Sequence, residues 1–305
     1  MNGGLAANTV KTALDKVFYQ EFDYTGAAGL ARATDGVAFR QDTIDRAAVI
    51  TEQFQGVGYF DTRNEQQDVP AGQMKVGNQV TSNVVNYSKS VDISKNFFDD
   101  EQHSVVDRMI ADMGRLARLT QDKNAFAVYN NGFSSETTND GVALFSNSHV
   151  TLNGTTVDNL ETGTLTEANL ETAVVSLRNQ KTQDGSLGLH EPVLLLVPNA
   201  LHKEAMEITK SELRSGTTDN DLNYFSRHYP GLQVKYTPFL DTSSTSAWFL
   251  LSRNHGIYRW VRQGIQTAMV DWTYQRNNNY IYKAEYREVV DAVIWEGAVG
   301  SNGTV

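Results

Sequence analysis

The side chains best suited to hold a metal ion or to transfer a proton are six histidines. They are His103, His149, His190, His202, His228 and His255. No two of them have the H-E-x-x-H or H-x-H spacing from which zinc sites are built. The chain has no cysteine, which excludes thiolate metal ligands, a thiol nucleophile and disulfide bonds. We expect His149 to be a structural hydrogen-bonding group rather than a base.

Other sequence patterns that could bind a cofactor or perform catalysis are incomplete. The segment that begins at Asp219 resembles the start of a calcium-binding loop. However, Tyr224 stands where that loop needs glycine, and Pro230 stands where it needs glutamate. Gly56 and Gly58 lack the third glycine and the following helix of a dinucleotide site. The sequence has no G-x-S-x-G motif and no phosphate-binding P-loop. It therefore predicts no catalytic, cofactor or metal site, and a protein that is not an enzyme.

The charge of the chain is acidic, with 36 acidic and 26 basic residues and a net charge of −10. Proteins that hold duplex DNA normally present a basic patch, because neutralised phosphates supply most of the affinity. No basic run occurs in this sequence. A net negative charge is typical of a soluble protein. It is also typical of a surface that faces DNA without binding it.

The sequence also predicts no membrane partner. Its longest purely apolar runs are Val193–Val197 and Ala247–Leu251. Both are far shorter than the roughly 20 residues of a membrane-spanning helix. The N-terminus has no basic stretch leading into an apolar core, so it does not resemble a secretory signal.

The first part of the chain predicts a helix followed by an arm. Residues Leu5–Phe22 have helical apolar spacing, and a helix of this length must dock on something to be stable. Its apolar stripe consists of Val10, Leu14, Val17, Phe18 and Phe22. Tyr24–Arg40 is rich in glycine and alanine and predicts an extended arm. Arg46–Phe54 predicts a short ordered piece, either helix or strand.

A long polar excursion, Gln55–Val80, follows the arm. Because structureless loops of this length are uncommon in compact domains, we interpret it as a projecting hairpin. Pro70 and Gly72 mark its turn. Val85–Ile93 alternates apolar and polar residues, which predicts that it is the return strand of this hairpin.

Next comes a helix of unusual length, predicted from Asp99 or Asp100 to Asn131. The acidic residues suit its N-terminus, and Asn131-Gly132 suits its end. Its predicted apolar stripe contains Val105, Val106, Met109, Ile110, Met113, Leu116 and Ala117. At 1.5 Å per residue such a helix is roughly 45–50 Å long. Gly114 is a weak point in helical propensity.

The remaining elements alternate between helices and strands. Asp140–His149 reads D-G-V-A-L-F-S-N-S-H, and Thr166 and Asn199 are predicted to cap the two helices that follow. Pro192–Pro198 encloses V-L-L-L-V, a strand predicted to be buried on both faces. Further strands are predicted at Leu232–Tyr236, Ala247–Leu251, Ala268–Tyr274, Tyr280–Tyr286 and Val289–Trp295.

This succession resembles the major capsid proteins of tailed phages, which have the Hong Kong-97 shell fold. The segment D-G-V-A-L-F-S-N-S-H is similar to the stretch after the spine helix in a branch that includes Mu-type head subunits. The resemblance implies an α+β fold in which a long spine helix lies in a peripheral domain beside an apical α/β domain. Its implied parts are an N-terminal arm (1–54), an extended loop hairpin (55–93), a peripheral domain (94–190 and 262–305) and an apical domain (191–261).

The resemblance also implies a function and partners. Copies of the chain would form pentamers and hexamers of an icosahedral head, assembled in the host cytoplasm, that encloses double-stranded DNA without sequence-specific binding. Many relatives begin with a long charged scaffolding segment, whereas Met1 here leads straight into the arm. The resemblance therefore implies a portal, and either a separate scaffolding protein or a gene product that needs no processing. The resemblance does not decide whether a decoration protein binds the shell.

Contacts between subunits are expected from two regions. The arm would clasp one neighbour and the extended loop would reach over another. The expected contact residues are Val10, Leu14, Phe18, Arg63, Glu65, Pro70, Met74 and Lys75.

Two alternatives remain open. A bacterial nanocompartment shell shares the fold but holds protein cargo, and nucleic acid in native particles would distinguish the two. An α/β enzyme with an unrecognised site would instead be a stable monomer that turns over a substrate.

Overall fold

The computed structural model of this chain describes residues 3–24, 26–72, 74–96, 103–212, 222–271, 275 and 279–304, with residues 3–9 and 103 described by backbone alone. The helices are α1 (Gly3–Phe22), α2 (His103–Asn131), α3 (Glu167–Asn179), α4 (His202–Lys210), α5 (Tyr224–His228) and α6 (Pro238–Asp241). The strands are β1 (Arg40–Thr43), β2 (Ala48–Gln55), β3 (Lys75–Asn83), β4 (Val85–Ser94), β5 (His149–Val150), β6 (Thr156–Val157), β7 (Leu160–Glu161), β8 (Pro192–Pro198), β9 (Gln233–Thr237), β10 (Trp248–Ser252), β11 (Gly256–Val270), β12 (Asn279–Ile294) and β13 (Ala298–Ser301).

Two sheets organise the molecule. A five-stranded sheet has the order β7-β13-β10-β8-β9, and a four-stranded sheet has the order β1-β11-β12-β4. Two short ribbons, β2-β3 and β5-β6, stand apart from them. The mixture of helices and sheets confirms the predicted α+β class.

The five-stranded sheet separates two hydrophobic cores, as the V-L-L-L-V pattern predicts. Leu194 and Leu196 of β8 face a core shared with α2, whereas Leu195 and Val197 face a core shared with α3 and α4. Because successive side chains of a strand point to opposite faces, a strand apolar at every position needs cover on both sides.

The long helix α2 connects two of the three cores. Its 29 residues correspond to about 43 Å. Val106, Ile110 and Met113 pack in a third core beneath the four-stranded sheet, whereas Phe126 and Tyr129 pack in the first core. The helix ends at Asn131 as predicted, and its predicted start at Asp99 or Asp100 lies outside the described residues.

Helix α1 confirms the predicted helix but corrects its expected role. The side chains of Leu14 and Phe18 are 3% and 0% exposed and pack in the third core of the same chain. The close approach of α1 depends on Gly114, since a Cβ there would lie 2.4 Å from the carbonyl oxygen of Phe18. Leu14 and Phe18 therefore belong to the subunit's own core, and Gly114 is a packing point rather than a weak point.

The predicted extended arm also packs on its own chain. Ala31, Ala33, Ala38 and Phe39 are buried in the first core. The carboxylate of Asp122 in α2 holds this segment, accepting hydrogen bonds from Ala33 N (2.7 Å) and Arg32 Nε (2.8 Å). Small alanine side chains let the backbone lie close to the helix, so the composition indicates tight packing rather than a free arm.

The polar excursion is a hairpin, but its return strand differs from the predicted one. Strand β2 pairs antiparallel with β3, which begins at Lys75. The predicted return strand, Val85–Ile93, is β4 and pairs with β12 in the four-stranded sheet. Alternation identifies a strand and its faces, but it does not identify the partner strand.

The structure confirms one predicted helix cap and corrects another. Thr166 caps α3 as predicted, accepting from Asn169 N. Asn199 caps no helix, because Asp241 accepts the hydrogen bonds of the Asn199 and Ala200 amides instead. Strand β13 was not predicted from the sequence. It lies inside the five-stranded sheet, although its residues fall in the range expected for the peripheral domain. The expected domain boundary at residues 261/262 falls within β11.

Candidate intersubunit surfaces

The extended loop between β2 and β3 exposes apolar side chains to water. Phe60 is 99% exposed, and Val57, Tyr59, Val69 and Met74 are also exposed. Apolar side chains exposed together on one projecting segment are typical of a protein interaction site. The loop is therefore a candidate interaction surface.

The expected contact residues of the loop are all on its surface. Arg63, Glu65, Pro70, Met74 and Lys75 are exposed. Arg63 Nε donates to Gln67 O within the loop at 2.6 Å. Of the expected arm residues, only Val10 is partly exposed, while Leu14 and Phe18 are buried.

A groove lies between α2 and the four-stranded sheet, with a cavity of about 530 Å³. We call it the spine groove. Its walls come from α2 and from strands of the four-stranded sheet. The lining residues are Tyr87, Ser88, Lys89, Val91, Met109, Asp112, Met113, Leu116, Ala117, Thr120, Ile265, Ala284 and Tyr286. Met109 and Leu116, which belong to the predicted apolar stripe of α2, are exposed at this groove. The rings of Tyr87 and Tyr286 stack at 5.0 Å between centroids. The walls of the spine groove are mostly apolar, so they suit an apolar segment of a partner.

Hydrogen bonds fix the root of the extended loop to the body of the subunit. Gln53 Nε2 donates to Gln183 Oε1, and Gln183 Nε2 donates to Glu296 Oε1, both at 2.8 Å. Further out, the Leu187 amide donates to the Tyr59 hydroxyl at 3.0 Å. The root is therefore fixed even though the loop beyond it projects.

A carboxyl pair holds strand β3 at the same root. Ser82 Oγ donates to Asp291, whose carboxylate neighbours Glu136. Burial, with a further contribution from Asp291, raises the pKa of Glu136 to about 8. Because the folded pKa of Glu136 lies above its unfolded value of 4.5, the stability that its protonated form contributes is fully present below pH 4.5 and is lost as pH rises from there to about 8.

Three turns of the same type lie near this root, and the sequence analysis missed them. They read T-N-D-G-V (Thr138–Val142), T-L-N-G-T (Thr151–Thr155) and T-Q-D-G-S (Thr182–Ser186). In each, the threonine hydroxyl donates to the Asp or Asn side chain, and the threonine amide donates to the carbonyl four residues on, at 2.9 Å. The glycines have φ of +79°, +88° and +84°, which glycine adopts at no steric cost. The repeated T-x-[DN]-G pattern is the signal that would have found them.

The segment D-G-V-A-L-F-S-N-S-H is a structural connector rather than a catalytic one. Asp140 Oδ2 lies 2.7 Å from His149 Nδ1, and His149 Nε2 lies 3.2 Å from Leu144 O. The buried imidazole stacks on Trp295 at 5.0 Å. Burial alone would raise the pKa of Asp140, but hydrogen bonds from His149 and Thr138 hold it below its usual value. This geometry confirms His149 as a structural hydrogen-bonding group.

A sequence comparison identifies the family. The profile of the phage capsid protein family matches residues 77–300, which is most of the chain. This chain belongs to the phage capsid protein family. No curated protein sequence matches it significantly.

Solved structures show the same fold in other shells. The capsid of Myoviridae phage XM1 is 13% identical with a TM-score of 0.53, over 92% of this chain and 95% of that one. The bacteriophage JBD30 capsid is 15% identical with a TM-score of 0.56, over 71% and 93%. A virus-like particle from Pyrococcus furiosus is 8% identical with a TM-score of 0.54, over 94% and 97%. The capsid protein thus has the Hong Kong-97-like fold.

Two other features of the described residues complete the picture of this phage capsid protein. None of their helices is long and apolar enough to cross a membrane. Nor do these residues contain a group of three or more His, Asp or Glu side chains that could hold a metal ion.

The Asp140–His149 pair is expected to be important for the stability of the capsid subunit. Asp140→Ala leaves the buried imidazole and the Thr138 hydroxyl without their partner, which costs about 3–5 kcal/mol of unfolding free energy. Chemical denaturation measures this loss. Because the folded pKa of Asp140 is lowered, the wild-type contribution is present above pH 4 and is lost at lower pH, so the variant should show a flatter profile there.

A matched control is Glu171→Ala, which removes an exposed carboxylate from α3 and should change stability by no more than about 0.5 kcal/mol. A loss below about 1 kcal/mol in Asp140→Ala would show that the connector contributes little to the fold.

Proposed function

We propose that this capsid protein assembles with copies of itself into the closed icosahedral head of a tailed phage, enclosing double-stranded DNA. The observation that carries the proposal is that one chain exposes two apolar surfaces, the extended loop and the spine groove. Each is exposed in one chain, and each has the chemistry that the other needs. Many modest contacts of this kind, repeated around a closed symmetric shell, give a stable particle.

In this proposal the extended loop of one subunit lies in the spine groove of the next. Phe60 and its apolar neighbours would cover Met109 and Leu116 and remove both surfaces from water. Burial of apolar area contributes roughly 25 cal/mol per Å², so even a small contact is useful when it recurs in every subunit. Arg63, Glu65, Pro70 and Lys75 would form the polar rim of the contact.

Helix α1 has a different role from the one first expected. Because Leu14 and Phe18 are buried within the subunit, α1 fixes α2 against the four-stranded sheet. It thereby positions α2, which forms one wall of the spine groove. Val10, which is partly exposed at the edge of this core, remains the arm residue proposed to touch a neighbour.

The proposed assembly includes further partners. Pentamers and hexamers would form in the host cytoplasm on a separate scaffolding protein and around a portal. The family resemblance supports these partners, and we leave a decoration protein open.

The net charge of −10 supports weak contact between the shell protein and its DNA. We expect the unassembled subunit to bind duplex DNA no more tightly than the nonspecific range of roughly 10⁻⁴ to 10⁻⁶ M at physiological salt. A gel-shift titration at several salt concentrations measures this affinity. Submicromolar binding that weakens steeply with salt would reveal a basic surface and contradict the proposed lining.

The fold alone does not separate a phage head from another container, since the particle from Pyrococcus furiosus shares it. The family match to phage capsids favours the head over a nanocompartment. Negative-stain electron microscopy of purified protein should show closed icosahedral particles, and particles from the natural source should contain nuclease-protected DNA. Protein cargo without DNA would support the nanocompartment, and a monomer that forms no particles would contradict both containers.

A further inference from the structure

A second cavity, of about 470 Å³, lies at the root of the extended loop, apart from the spine groove. We call it the root cleft. Strand β2, two of the three T-x-[DN]-G turns and the end of β12 form its walls. The lining residues are Glu52, Phe54, Gly56, Asn139, Thr182, Gln183, Asp184, Ser186, Ile294 and Glu296. These include three carboxyl groups and no basic residue.

An unsatisfied acceptor in the wall of the root cleft points to a missing partner. Asn139 is 3% exposed, and its Oδ1 has no hydrogen-bond partner among the residues that the structure describes. A buried acceptor without a partner costs about 1–3 kcal/mol, so its presence calls for a ligand that donates. This observation is independent of the acidic residues around it.

The acidic groups of the root cleft suit a positively charged donor. Hydrogen bonds, first from Thr182 and then from Ser186, lower the pKa of Asp184, so this carboxylate is charged at neutral pH. Glu296 accepts one hydrogen bond from Gln183 through Oε1. Phe54 adds a half-exposed ring that can stack on a cation.

We propose that the root cleft binds a guanidinium or ammonium group, supplied by a basic side chain of a second copy of this chain. An organic cation fits better than a metal ion, because the described acidic side chains do not converge as a metal-ligand group. The choice of a second copy rests on the proposed function and on the position of the cleft, which is continuous with the loop that we propose reaches a neighbour. The preference for a cation does not depend on assembly.

Ethylguanidinium tests the cation site on the unassembled subunit by ligand-observed NMR. We expect a dissociation constant of roughly 1–10 mM, as suits so small a ligand, and no binding of the neutral analogue ethylurea. The double variant Glu52→Gln with Asp184→Asn should weaken binding at least about tenfold. Asp184→Asn keeps the turn, because Asn153 occupies the same position in T-L-N-G-T and accepts from Thr151.

The control double variant is Glu171→Gln with Glu204→Gln, which removes the same charge from exposed sites on α3 and α4. Its affinity for ethylguanidinium should equal that of the wild type. Absent binding, or equal affinity in both double variants, would overturn the cation site.

In a reconstruction of the assembled shell, a basic side chain from a neighbouring copy in the cleft supports the second-copy assignment. A cleft that is empty, or that holds a small-molecule amine instead of a side chain, overturns that assignment. If the wild type forms no shells, the proposed function is contradicted, but the ethylguanidinium result is unchanged.

Discussion

Replacing Arg63–Met74 with a short Gly-Ser linker is expected to leave a folded subunit that forms no closed shells. In the part of the loop that the structure describes, the hydrogen bonds of these residues stay within the loop, as for Arg63 with Gln67. The root stays fixed by Gln53 and Tyr59, which the change leaves in place. Circular dichroism and thermal unfolding should therefore match the wild type, while sedimentation and electron microscopy should show subunits or open fragments.

A narrower variant separates apolar contact from loop length. Phe60→Ser removes the most exposed apolar ring of the loop, so it should change subunit stability by no more than about 0.5 kcal/mol. It should nevertheless lower the yield of shells. Normal particles from the linker variant would refute the bridging role of the loop.

The second large effect concerns α1. Leu14→Asp with Phe18→Asp is expected to unfold the subunit itself, because both new carboxylates would be buried without partners. Phe18 packs against Phe22 and Tyr282, and an unpaired buried charge costs several kcal/mol. Two such charges approach the 5–15 kcal/mol that stabilises a typical domain. Circular dichroism and particle yield should fall together.

The matched control introduces two aspartates at exposed positions of α1. Ala13→Asp with Gln20→Asp should leave both the fold and the helix signal close to those of the wild type. If Leu14→Asp with Phe18→Asp instead keeps the wild-type melting temperature and loses only particles, α1 packs on a neighbour rather than on its own chain.

Much of the fold can be predicted from sequence periodicity. Helix α3 follows from its Thr166 cap and its apolar stripe, and β8 follows from an apolar run bounded by prolines. Pairing between strands could not be predicted, because the partner of β4 lies about 190 residues further along the chain. Strand β13, A-V-G-S, has too few apolar residues for a strand signal, and its glycine is needed where Phe145 packs closely.

The candidate surfaces were predictable only in part. The polarity of Gln55–Val80 indicates a projecting hairpin, and the exposed loop residues were named from sequence. The spine groove could not be foreseen, because Met109 and Leu116 share the apolar stripe of α2 with fully buried residues. Whether such a residue is covered depends on how far the sheet extends beneath it. The burial of Leu14 and Phe18 likewise depends on Gly114, a tertiary contact that the helical pattern does not reveal.

A cryo-electron microscopy reconstruction of the assembled particle tests the central claim most directly. The account predicts a closed icosahedral shell in which the extended loop of one subunit occupies the spine groove of its neighbour, with Phe60 against Met109 and Leu116. A shell whose spine grooves are empty, or are filled by a segment other than a neighbour's extended loop, would contradict it.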